Sequence, residues 1–142
     1  MRTDVNQKEK VEATAGNVAP LASPVCVGFP SPAHDSADHR LDLNKFLVLH
    51  PSATFFVRAE GNSMTRAGIH PGDILVVDRA LKPENNRVVI AILDGEFFIK
   101  RLRLMKRKAY LLADNPGYKP IVINQEQDFE VWGVATWVIH RI

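Results

Sequence analysis

Val88-Val89-Ile90-Ala91-Ile92-Leu93-Asp94-Gly95-Glu96-Phe97-Phe98-Ile99-Lys100-Arg101-Leu102 reads as two apolar strands joined by a two-residue turn. Asp-Gly between apolar runs is a strong hairpin signal, because both residues tolerate the positive φ angles of the tight turn. Alternate side chains of a strand point to opposite faces. Lys100 therefore shares a face with Phe98 and Leu102, and Arg101 shares the other with Phe97 and Ile99. An amine on an apolar face is poorly solvated when charged, which makes Lys100 a candidate for a lowered pKa.

Working outward, the same reading extends over most of the chain. Strands are predicted at residues 54–60, 74–78, 87–93, 96–104, 109–113, 121–123 and 129–140. Asp42 can cap a short helix through Leu43, Phe46 and Leu47 to His50, where Pro51 ends it. Pro71-Gly72-Asp73 and Asn115-Pro116-Gly117 are turn sequences. Many short strands separated by turns make a mostly β domain. The last strand, Phe129 to Ile139, is apolar on both faces, as expected of a strand central in a sheet or pressed against a second chain. Residues 1 to 33 lack periodicity and carry Pro20, Pro24, Pro30 and Pro32, which favour an extended arm.

At 142 residues the chain suits one domain with a real core. A net charge of +2 gives no argument for sequence-specific DNA binding, and a solvated strand end accounts for Lys106-Arg107-Lys108 as well as a phosphate contact does. Cys26 is the single cysteine, so no intramolecular disulfide forms. No apolar run approaches the roughly 18 residues of a membrane span. The polar N-terminus lacks a secretory core, so a cytoplasmic protein is expected, with no membrane contact.

The other chemically suggestive residue is Ser63, in the glycine turn Gly61-Asn62-Ser63-Met64 directly after the strand Phe55 to Ala59. A serine hydroxyl is a poor nucleophile until a base takes its proton, and a neutral lysine amine can be that base. With a reference pKa near 10.4, roughly one lysine in 2,500 is neutral at pH 7. Bringing it near 7 needs a shift of about three units, on the order of 4 kcal/mol, which full burial can supply. The turn could aim the backbone N–H groups of Asn62 and Ser63 at a developing oxyanion. Ser63 and Lys100 together suggest a Ser-Lys hydrolase.

Nothing else in the sequence competes strongly. His34, His39, His50, His70 and His140 are scattered without metal-ligand spacing, so no metal is expected. A triad of Ser63 with His70 or His50 stays open. Asp73 and Asp78 flank a strand and read as turn or surface carboxylates. The absence of a phosphate-binding glycine loop or dinucleotide fingerprint leaves no cofactor implied. Cys26 has no neighbouring base and reads as incidental.

At these residues the chain resembles the UmuD branch of the LexA/UmuD self-cleaving serine peptidases. The matching stretches are Gly28-Phe29-Pro30-Ser31-Pro32-Ala33, His50-Pro51-Ser52-Ala53-Thr54, Gly61-Asn62-Ser63-Met64, Gly72-Asp73-Ile74-Leu75-Val76-Val77-Asp78, Asp94-Gly95-Glu96-Phe97, Ile99-Lys100-Arg101-Leu102 and Val131-Trp132-Gly133-Val134. The resemblance implies a curled β-sheet peptidase domain at 29–142 that forms a homodimer, preceded by an extended, flexible arm at 1–28. It implies Ser63 as nucleophile, Lys100 as general base, and the arm as substrate, cut at Val27-Gly28 when the protein meets a RecA–single-stranded DNA filament. The trimmed dimer would then serve a UmuC-type Y-family translesion polymerase in SOS mutagenesis. The family usually has alanine or cysteine before the scissile glycine. Val27 departs from this, so a slower cut or one at Cys26-Val27 also fits. Glycine allows close backbone approach to a nucleophile, which favours Val27-Gly28.

Three rival readings use the same residues. A LexA-type or phage repressor needs a DNA-binding helical module, and the 27 residues before Gly28 show no helix-turn-helix pattern. A signal peptidase needs a membrane anchor. A non-enzymatic polymerase-accessory dimer with a vestigial site needs neither.

Overall fold

The computed structural model of the chain describes residues 8–10, 19–21, 27–28 and 40–142. Its elements are, in chain order, β1 (Lys8–Lys10), β2 (Ala19–Pro20), β3 (Arg40–Leu41), α1 (Leu43–Leu47), β4 (Thr54–Arg58), β5 (Ile74–Asp78), β6 (Val88–Leu93), β7 (Glu96–Met105), β8 (Lys108–Leu112), β9 (Ile121–Ile123) and β10 (Phe129–Ile139). Eight strands form one antiparallel sheet in the order β1-β4-β5-β10-β6-β7-β8-β9, and β2 pairs with β3 alone. The expected mostly β fold is therefore present.

The hairpin expected at Asp94-Gly95 is β6–β7, paired from Val88↔Arg101 to Leu93↔Glu96. Asp94 and Gly95 adopt φ of +49° and +82°, the left-handed values that close such a turn. Sequence did not announce the next hairpin. Lys106 and Arg107 turn β7 into β8 with φ of +43° and +66°, although neither is a residue that favours this region. The basic cluster is thus an exposed hairpin tip, in keeping with a solvated strand end.

β10 is central, which explains apolar residues on both its faces. Its register slips between Val131 and Gly133 against β6, and between Ala135 and Trp137 against β5. Such bulges bend a strand and increase its twist. On the face they curl around, Trp132 meets Phe55 of β4 at 5.2 Å and Phe97 of β7 at 6.3 Å between ring centroids. Val57, Leu75, Val77, Ile90 and Ile99 complete this core. A second cluster, Val89, Ala91, Leu102, Leu111 and Val134, fills the opposite face. Arg79 closes over Trp132, its guanidinium 4.7 Å from the ring centroid and its Nε donating to the Trp132 carbonyl at 2.9 Å.

α1 starts where expected, with the Asp42 carboxylate accepting from the Asn44 N–H at 3.0 Å. It stops at Leu47, short of His50, because Val48 is already extended and Pro51 begins a separate 3-10 turn. The arm also differs from a wholly unpaired tail. β1 lies along β4, covering backbone groups that would otherwise form an open sheet edge.

A Cβ on Gly133 would sit 2.6 Å from the Val77 side chain, which is fully buried and cannot yield. Gly133→Ala should therefore lower unfolding free energy by about 1–3 kcal/mol through overpacking. An unchanged denaturant midpoint would contradict this packing.

Candidate active site

Ser63 is held by a chain of turns. Gly61, at φ +81°, reverses the backbone after β4, and Gly68, at φ +80°, ends the 3-10 turn Thr65–Ala67. Between them Met64 is buried in the core against Ile69 and Ile99, so the serine beside it has a fixed position. A second loop buttresses the turn. The Asn115 amide donates to the Asn62 carbonyl at 2.8 Å, the Arg66 N–H to the Asp114 carbonyl at 2.9 Å, and the Asp114 N–H to Met64 Sδ at 3.3 Å. Arg101 of β7 anchors that loop, with its Nε donating to both Asp114 carboxylate oxygens at 3.1 and 3.0 Å. The partly buried Arg101 thus has a structural role that its charge alone did not reveal. Ser63 is only 2% exposed, in a narrow cleft walled by Ala59, Glu60, Gly61, Met64, Ile69 and Ile99.

Lys100 lies next to Ile99 but on the Val89 and Leu102 face, as strand alternation requires. It is 1% exposed, the largest fully buried side chain in the described residues. Nζ makes no hydrogen bond among the described residues. The Tyr118 ring, from the loop that also braces Asn62, has its centroid 5.4 Å from Nζ. Burial pushes the amine down to about 8 from its ordinary 10.5. The 114–118 segment thus contacts the Asn62 carbonyl next to Ser63 and the Lys100 amine, while no hydrogen bond joins Lys100 Nζ to the Ser63 hydroxyl in this structure.

The histidine alternatives are disposed differently. His50 Nδ1 is 2.6 Å from Asp78, at the far end of the β4–β5 pair from Ser63. Five strand residues intervene, roughly 16 Å of chain. His70 and His140 gather around Asp73. Among the described residues no histidine lines the serine cleft. Asp73 and Asp78 are not surface carboxylates: both are buried and both pair with imidazoles. Their partners lie up to 67 residues away in sequence, so local spacing carried no sign of them. Val27 is wholly exposed and Gly28 stands in open space, so the expected scissile bond is not packed into the cleft here. Cys26 lies outside the described residues, as do His34 and His39.

The family described as Peptidase S24-like matches residues 20–136. The chain belongs to that family. Its relatives include protein ImpA of Escherichia coli, 48% identical over 87% of this chain and 85% of that protein. Protein SamA of Salmonella typhimurium is 46% identical over 95% and 91%. Protein MucA of Escherichia coli is 40% identical over 79% and 77%. These relatives are of UmuD type, so this family member is a UmuD-like protein of the serine peptidase class. Among the described residues no helix is long and apolar enough to cross a membrane.

The buried amine has a thermodynamic signature. The unfolded chain holds its proton up to about 10.5, whereas the folded chain releases it near 8. Below about 8 both states are protonated, and folding then carries the full cost of a buried cation, about 3 kcal/mol. That cost shrinks as pH rises from about 8 toward 10.5 and is absent above it. Lys100→Met should accordingly raise unfolding free energy at neutral pH by up to about 3 kcal/mol, and remove the alkaline rise in stability. A large loss of stability in the variant would contradict this.

Proposed function

We propose that this protein cleaves its own arm at Val27-Gly28, with Ser63 as nucleophile and Lys100 as general base. The single observation that carries the reading is the buried Lys100 amine without a hydrogen-bond partner, shifted to about 8. At pH 7 roughly one such amine in ten is neutral, some hundreds of times more than for an exposed lysine. That is the state a serine hydroxyl requires of its base.

Mechanistically, the arm enters the cleft extended, bringing the Val27 carbonyl to Ser63. The hydroxyl proton passes to the neutral Lys100 amine as Oγ attacks, and the Val27 carbonyl oxygen takes up negative charge. The N–H groups of Asn62 and Ser63 stabilise that charge. The protonated amine then gives its proton to the departing Gly28 nitrogen, and water hydrolyses the acyl-enzyme. The Ser63–Lys100 hydrogen bond forms when the substrate docks, since catalytic contacts commonly tighten only then. An exposed Val27 fits a resting state with the arm out of the cleft. Attachment supplies a high effective concentration, so occupancy of the cleft controls the rate.

In this reading residues 1–28 are the arm and 29–142 the peptidase and dimerisation domain. A RecA–single-stranded DNA filament raises cleft occupancy, and the trimmed homodimer serves a UmuC-type Y-family polymerase in SOS mutagenesis. An apolar strip supports the dimer: Trp137, Val138 and Ile139 are exposed at the end of β10, with the Phe46 ring tilted against Trp137 at 5.1 Å between centroids.

Intact mass spectrometry over time tests the chemistry. The parent should yield a fragment beginning at Gly28, with a rate rising about tenfold per pH unit up to about 8 and levelling above it. Ser63→Ala and Lys100→Ala should leave the chain intact. If both variants cut as fast as the parent, the assigned chemistry is wrong. A parent that stays whole even with activated RecA filament would favour the non-enzymatic accessory reading.

A further inference from the structure

Away from the serine cleft, two imidazoles converge on one buried carboxylate. Asp73 is 4% exposed and lies in the turn before β5. His140, just past the end of β10, places Nδ1 2.6 Å from Asp73 Oδ1. His70 places Nδ1 3.7 Å from Oδ2, and its backbone N–H donates to the same oxygen at 2.8 Å. The two rings lie 5.0 Å apart between centroids. One donor atom from each residue lies within 4.8 Å of the other two.

We propose that His70, Asp73 and His140 bind a divalent transition-metal ion of the zinc class. The donor set is one carboxylate oxygen and two imidazole nitrogens, which suits zinc and its neighbours. Ligand atoms about 2.1 Å from a tetrahedral ion lie about 3.4 Å apart, so the widest pair of donors must close by up to about 1.4 Å. The imidazoles can supply this by rotation, because both side chains are about half exposed. Their exposure also leaves a coordination position open to water. Asp73 is already fixed: its carboxylate is buried and Oδ2 accepts from the His70 backbone N–H at 2.8 Å. Arg58 donates to the Gly72 carbonyl at 3.2 Å and Arg141 follows His140 in the chain. These cations weaken a dication's binding without removing it.

An ion pair alone leaves one feature unexplained. A single protonated imidazole would balance Asp73, yet two are brought from different elements onto one face of it. A metal bridges them and ties the end of β10 to the turn before β5. The same turn is pinned to the start of the serine loop, with the Ala59 N–H donating to the Asp73 carbonyl and the Gly72 N–H to the Ala59 carbonyl, each at 2.8 Å.

The test is titration of the full chain with zinc(II), and separately with cobalt(II), at neutral pH. One equivalent should bind, cobalt should develop a visible d–d absorption, and zinc should raise the melting temperature by mass action. His140→Gln, which changes a half-exposed side chain near the C-terminus, and His70→Ala should each weaken binding at least about tenfold and abolish the thermal shift. Absence of saturable binding in the parent would overturn the proposal. So would equal binding by the two variants, because the metal would then sit elsewhere on the chain.

Discussion

An amine forced out of water with no hydrogen-bond partner among the described residues is the constraint around which this domain is arranged. The β6–β7 pairing sets Lys100 opposite Val89, on a face filled by Leu102 and its neighbours, and none offers an oxygen to the amine. A fold selected for stability alone would place methionine or leucine there. Burial lowers the amine's pKa to about 8, and the proposed chemistry then has a base available near physiological pH. Stability and reactivity trade against each other at one side chain.

The serine is handled in the opposite way, by rigid support. Its turn is gripped from the core through Met64 and from outside through Asp114 and Asn115, and Arg101 links that second grip to the strand that carries Lys100. Adjacent residues of β7 thereby serve different ends: Ile99 walls the cleft, Lys100 carries the amine, and Arg101 braces the loop. A sheet bent by two bulges in β10 lets these strands close around one face. In the proposed mechanism the hydrogen bond between Ser63 and Lys100 forms only when the arm docks, which makes docking a natural point of control.

Much of this was legible in the residues. Alternation in Phe97 to Leu102 correctly gave the faces of Lys100 and Arg101, and Asp94-Gly95 marked the hairpin, because both signals are local. The β5 and β9 boundaries were also read correctly for that reason. Where partners are distant in sequence the reading failed. Asp73 and Asp78 read as turn or surface carboxylates; Asp73 does lie in the turn before β5, but the burial of both arises only when His140 and His50 are folded against them. The Lys106-Arg107 hairpin was missed because neither residue advertises positive φ, and the pairing of β7 with β8 imposes it instead. Pairing of β1 with β4 was equally invisible, since it depends on an open sheet edge and not on the pattern of the arm.

The central claim concerns one proton, and nuclear magnetic resonance can follow it directly. Selective labelling of lysine side chains, with Lys100 assigned by difference from Lys100→Met, gives the titration of the amine in the folded protein. The account requires a midpoint near 8, well below the other lysines. A midpoint at the ordinary 10.5 would mean that the amine is solvated, and that position 100 holds no base for Ser63.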